Sequence, residues 1–251
     1  MSEQRIENHI DDVLTGDAHK NAIEFAAFLR VNEMQFERGK GYWEDKFYWM
    51  VKYKDEYVCF ILINSREDKT ETDDFTIWSD DSGSNWFNEN CLDERLKEIA
   101  WKHIDICRNC GSCNGGSRKT IFEKEFDNVC RTTMRFDNPD AKTVECVKKL
   151  VELRKNDIDF LIITACGECC FGCDKKEDGL CEGCIESDGH CKEWAQSKGC
   201  PIHKCAKQHK VQFCGLCFDF PCKWLVEKVT WNPNIVADLT KLAKKYEEMH
   251  Q

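Results

Sequence analysis

Nineteen cysteines are the most visible chemistry in this chain of 251 residues. Their thiolates are soft donors suited to zinc and to iron–sulfur clusters. In a reducing compartment, clustered cysteines mean metal more often than disulfides, and the odd number suits a disulfide framework poorly. The first constellation is Cys107-Arg-Asn-Cys110-Gly-Ser-Cys113. Two-residue gaps let successive thiolates turn back toward one ion, and the glycine eases the tight turn. A four-coordinate centre needs one more ligand. Cys130 is the next cysteine downstream and is the preferred fourth; His103, about one helical turn before Cys107, is the other choice.

The second constellation is longer. It runs Cys166-Gly-Glu-Cys169-Cys170-Phe-Gly-Cys173, then Cys181-Glu-Gly-Cys184 and Cys191. It continues through Cys200-Pro-Ile-His203-Lys-Cys205 and Cys214-Gly-Leu-Cys217 to Cys222. Four C-x-x-C knuckles lie within it, a strong metal signal. These twelve cysteines and the four of the first cluster would fill four tetrathiolate sites, with His190 and His203 as alternative ligands. Cys59 lies in an apolar strand and Cys146 in a helical stretch, so both read as small buried hydrophobes. Cys91 has no assignment. The C-x-x-C-x-x-C run also occurs in ferredoxins, where the next cysteine precedes proline; Cys130 precedes Arg131, so that match is partial.

The order CG-x-x-CxxC, C-x-GC, C-x-I-x-x-CA and C-x-x-C-x-x-x-PC resembles an uncharacterised prokaryotic cysteine-rich family, domain of unknown function 3795. Here it reads Cys166-Gly167, Cys170, Cys173, Cys181-Glu-Gly-Cys184, Cys200-Pro-Ile-His-Lys-Cys205-Ala206 and Cys214-Gly-Leu-Cys217-Phe-Asp-Phe-Pro221-Cys222. Ser197 stands where members often carry a further cysteine, and Cys191 is the substitute from further away. The resemblance covers about the last third of the chain and implies metal binding, with no particular activity.

The elements that position these residues divide at about residue 160. Residues 1–160 read as an α+β domain, an antiparallel sheet with packed helices, into which the Cys107–Cys130 metal cluster is inserted. Asp17 to Leu29 reads as a helix with Ala22, Phe25, Ala26 and Leu29 on one face. Phe47, Trp49, Val51 and Tyr53 alternate as one strand face, and a turn at Lys54-Asp55-Glu56 leads into the strand Tyr57–Asn64. Phe75–Trp78 is a third strand, with Ser65–Asp74 a solvated loop between. Leu92–Ile106 reads as a helix with Leu92, Leu96, Ile99 and His103 in one stripe. Gly115–Thr120 reads as a flexible loop and Arg131–Phe136 as a strand. Pro139 opens a helix to about Lys155. The aromatics Trp43, Phe47, Trp49, Trp78, Trp86 and Phe87 read mostly as core.

Residues 161–251 read as an irregular cysteine-rich domain stapled by metal, closed by a helix over Asn234–His250 with Ile235, Leu239, Leu242 and Tyr246 as its stripe. Large apolar side chains are few between Cys166 and Cys222, so ions must offset the chain entropy.

The net charge of −10 disfavours phosphate backbones. No signal-like or membrane-length apolar run is present, so the expected location is cytoplasmic. No nucleophile–base pair stands out, and the reading leans away from an enzyme. Two functions compete. One is a metal-stabilised binding or interaction module holding several zinc ions. The other is a redox or electron-transfer protein with four-iron iron–sulfur clusters. The expected partners are metal ions, and a protein in the case of an interaction module, with neither nucleic acid nor a membrane.

Overall fold

In a computed structural model, the chain is described over residues 5–39, 48–63, 75–80, 86–89, 92–109, 114–171, 174–192 and 198–249. Phe47, Trp43, the Ser65–Asp74 loop, Cys91, Cys110, Cys113 and Cys173 lie outside the described residues. The chain divides into two compact units, Met1–Asn156 and Asp157–Gln251. No helix among the described residues is long and apolar enough to cross a membrane.

The first unit is α+β. Helices α1 (Ile6–Val13) and α2 (Gly16–Val31) precede a seven-stranded antiparallel sheet. Its strands are β1 (Gln35–Arg38), β2 (Tyr48–Tyr53), β3 (Glu56–Ile63), β4 (Phe75–Ser79), β5 (Ile104–Ile106), β6 (Ser117–Ile121) and β7 (Lys124–Asp137). Their order is β1-β2-β3-β4-β7-β5, with β6 also on β7. The face of α2 built from Ala22, Phe25, Ala26 and Leu29 is buried, as its periodicity requires. Lys54 and Asp55 both take positive φ, 48° and 66°, and make the two-residue turn whose twist suits a hairpin. Val51 pairs with Cys59 across that hairpin, and both are buried. Trp49, Trp78, Trp86 and Phe87 are core.

Three local expectations are corrected here. The helix expected over Leu92–Ile106 is α4 (Glu94–Lys102), capped by the Asp93 carboxylate accepting from the Leu96 N–H at 3.1 Å. Ile104–Ile106 leaves it as β5 because β7 offers a ladder there, pairing Ile104 with Met134 and Ile106 with Val129. The expected loop Gly115–Thr120 mostly becomes β6, which turns into β7 through Phe122 and Glu123, again at positive φ. The helix expected to stop near Lys155 is α5 (Ala141–Leu161). Its start is capped by Asp140, whose carboxylate accepts from the Thr143 N–H at 2.8 Å, so Pro139 stands before the helix. A short helix α3 (Trp86–Glu89) lies before α4.

The second unit has more core than its sequence promises. Phe160, Ala165, Ile202, Ala206, Phe213, Leu225, Val229, Ile235 and Leu239 are buried together. Phe213 is fully buried and Tyr246 sits edge-on to it at 6.1 Å. The helices α6 (Asp174–Glu177), α7 (Pro201–His209), α8 (Lys223–Lys228) and α9 (Ile235–Met249) belong to this unit, with loops between them. Apolar residues spaced far apart in sequence thus supply the packing that a scan of Cys166–Cys222 alone misses, because Phe160 and α9 lie outside that window.

Candidate metal centres

The best-defined group of thiols belongs to the second unit. Cys200 is the residue before α7, and Pro201 takes the first helical position, where its missing N–H costs nothing. Cys205 follows on the same helix. Cys214 opens a 3-10 turn, Cys214–Leu216, and its N–H donates to the Ala165 carbonyl at 2.9 Å. Gly215 inside that knuckle is required by close approach, since a Cβ there would sit 2.7 Å from the Leu239 carbonyl oxygen of α9. Cys222 caps α8, its Sγ accepting from the Leu225 N–H at 3.4 Å.

Cys205, Cys214, Cys217 and Cys222 line one small cavity, together with His209. Burial, then the Cys205 and Cys222 thiolates, push the Cys214 thiol up to about 12. Burial also raises Cys205, with Cys222 and Cys217 adding to the effect. Burial and neighbouring thiols thus hold Cys205 and Cys214 in the thiol form, and a cation bound among them would favour their ionisation. Among the described residues, the donors converging within 4.8 Å of one another are those of His209, Cys217 and Asp219. His209 and Asp219 were absent from the sequence-derived ligand set. The available signal was spacing, since His209 follows Cys205 by four residues on α7 and therefore shares its face.

A second group lies in the same unit. The thiols of Cys170 and Cys184 are hydrogen-bonded, and Cys191 joins Cys184. The hydrogen bond from Cys184 holds Cys170 down to about 6, and the same bond, with burial and Cys191, raises Cys184 well above the usual thiol range. Cys181 accepts from the Lys192 N–H at 3.4 Å. Cys166 is raised by burial, with Thr164 Oγ1 at 3.4 Å from its Sγ, and it feels both Cys200 and Cys214. Cys166-Gly167 turns on a glycine with φ of 84°. Cys169 is exposed and bridges to Ile163 through its backbone.

In the first unit, Cys107 is buried and its N–H donates to the Asn128 carbonyl at 2.8 Å. Asn128 returns a side-chain bond to the Cys107 carbonyl at 3.0 Å. Cys130 sits in an irregular part of β7, where one residue lies between the β5 partners and four lie between those on β7 (Ile104↔Met134, Ile106↔Val129). Thr133 there has φ of 63°, and such bulges re-aim side chains. The Cys130 thiol is raised by burial and then by Asp105, to which it is hydrogen-bonded. Cys110 and Cys113 lie outside the described residues, so only Cys107 and Cys130 of the expected four-ligand set are described.

The histidines weighed as ligands have other partners. His103 Nδ1 lies 3.2 Å from the Arg135 carbonyl, His190 Nδ1 lies 3.2 Å from the Ser187 carbonyl, and His203 Nε2 lies 2.9 Å from Asp188. Cys59 and Cys146 are buried among apolar residues, and burial raises both thiols, Cys146 to about 12. No family model matches the chain, and neither the curated proteins nor the solved structures gave a match.

Proposed function

We propose that this protein is a cysteine-ligated metal-binding module, with zinc as the favoured metal, that works by binding rather than turnover. The observation that carries this reading is the cavity of the second unit, whose wall includes Cys205, Cys214, Cys217 and Cys222. Four thiols drawn from α7, a 3-10 turn and the cap of α8 share one apolar pocket, in which burial and then the neighbouring thiols hinder the ionisation of Cys205 and Cys214. Zinc is favoured because the thiols come in C-x-x-C knuckles such as Cys214-Gly-Leu-Cys217 and are spread in pairs, the spacing of structural zinc sites. Cys170, Cys184 and Cys191 are proposed as ligands of a second ion, with Cys173 or Cys181 as the fourth. The resemblance to domain of unknown function 3795 rests on the cysteine motif alone.

The iron–sulfur reading keeps one specific support, the Cys107-x-x-Cys110-x-x-Cys113 run. Metal analysis with a visible absorption spectrum on anaerobically purified protein separates the two. A colourless protein containing zinc supports the proposal. Broad visible absorption with stoichiometric iron and sulfide overturns it in favour of redox function.

A further inference from the structure

The four-cysteine cavity does not end at its thiols. Beside it lies a wider cavity of about 500 Å³, and the two share Cys205, His209, Cys217, Cys222 and Trp224 on their walls. Asp219 lines the wider one. At this mouth, His209 and Asp219 are exposed and Cys217 is half-buried. His209 Nδ1 lies 3.5 Å from Cys217 Sγ and 3.9 Å from Asp219 Oδ2. Two ligands on a tetrahedral zinc ion, at typical Zn–S and Zn–N lengths, are separated by about 3.6 Å. The imidazole and thiol therefore already stand at the spacing of two ligands on one zinc ion. An Asp219 carboxylate oxygen lies within 4.8 Å of both and is the third donor of the group. His209 also closes the last turn of α7, where the partial negative charge of the helix end favours a cation.

We propose that His209, Cys217 and Asp219 form a surface site for a divalent zinc ion, through which zinc enters and leaves the four-cysteine centre. This rests on the reading that Cys205, Cys214, Cys217 and Cys222 hold zinc. Three protein donors leave one coordination position to water, the arrangement of an exchangeable site rather than a closed structural one. Cys217 belongs to both sets. An incoming ion held at the mouth keeps its Cys217 bond while Cys205, Cys214 and Cys222 replace His209, Asp219 and water. Cys217 releases its proton to solvent when the ion first binds at the mouth, each of the other three thiols does so as it takes up the ion, and no oxidation or reduction is involved.

The test uses full-length zinc-loaded protein and isotopically enriched Zn²⁺. The exchange phase belonging to this centre is the one that Cys205→Ser and Cys222→Ser remove. His209→Ala and Asp219→Asn should each slow that phase several-fold while total zinc at equilibrium stays unchanged. An unchanged exchange rate in both variants overturns the proposal. So does a stoichiometric loss of zinc in His209→Ala, which would make His209 a ligand of the inner centre itself. If Cys205→Ser and Cys222→Ser leave both zinc content and exchange unchanged, the underlying four-cysteine reading fails instead.

Discussion

His209 Nδ1 stands 3.5 Å from Cys217 Sγ, although the two residues belong to different elements, the last turn of α7 and the end of a 3-10 turn. The chain between them folds back so that the knuckle Cys214–Cys217 returns to the face of α7 that carries Cys205. An imidazole is thereby added to a set of thiols that a cysteine count alone would treat as complete.

Removing metal should affect the second unit unevenly. The described residues between Cys169 and Lys192 have little regular structure and are mostly exposed, so on the proposed reading it is metal bonds that carry their order. The cluster of Phe160, Phe213 and Leu239 has its own apolar packing. Hydrogen exchange of chelated protein should show lost protection at residues 178–192 and retained protection in α9. Structural zinc contributes on the order of 10 kcal/mol in small modules, enough to decide the folding of such a loop. Unchanged protection across residues 178–192 after complete zinc removal would contradict this.

Alkylation should sort the cysteines. Cys59 and Cys146 are buried in the first unit and their thiols are raised by burial, which keeps the reactive thiolate scarce. They should react slowly with iodoacetamide in both metal-loaded and chelated protein. Cys205 and Cys217, protected in the loaded state, should become reactive on chelation. Labelling of Cys59 in step with Cys214, read by peptide mass spectrometry, would show that its burial depends on metal.

The first unit contains a buried ion pair whose loss should be costly. Arg154 Nε lies 3.4 Å from Asp80 Oδ2, and both side chains are 1% exposed. Asp80 also accepts from the Trp86 indole N–H at 2.8 Å, and Arg154 Nε donates to the Tyr57 carbonyl at 3.2 Å. Asp80→Asn leaves the guanidinium buried, with Glu56 as a more distant carboxylate at 3.8 Å. Urea unfolding should show a loss of about 3–5 kcal/mol. A loss below about 1 kcal/mol, the range of exposed pairs, would mean that Glu56 compensates.

Acid should weaken the same unit through its histidines. His9 and His103 are both lowered from 6.5, chiefly because burial penalises the imidazolium. The unfolded chain therefore binds more protons than the folded one below that value, and stability falls as pH drops. Well above about 6.5, from roughly pH 7.5 upward, both states hold neutral imidazoles and this contribution is flat. Urea midpoints measured between about pH 7.5 and about pH 5 should decline. His9→Phe should make the decline shallower, keeping an aromatic ring beside Trp49, whose centroid is 5.3 Å from that of His9. An equally steep decline in His9→Phe would remove His9 from the account.

Local pattern was enough for much of this protein. The period of α2, the alternation of Trp49, Val51 and Tyr53, the turn at Lys54 and Asp55 and the stripe of α9 are all short-range signals that the backbone follows directly. The burial of Cys59 and Cys146 was legible for the same reason, since apolar neighbours in sequence become apolar neighbours in space. Tertiary structure decided the rest. Ile104–Ile106 is a strand because β7 lies beside it, a partner about 25 residues away that no local window contains. The core of the second unit joins Phe160, Phe213 and Leu239 across most of that unit. The grouping of thiols likewise depends on which loops meet. A C-x-x-C knuckle states that two thiols can face one ion, but the return of Cys214–Cys217 to α7 is what places His209 and Asp219 beside them. Ligand identity is therefore a property of loop closure, and no residue's own neighbours in the chain encode it.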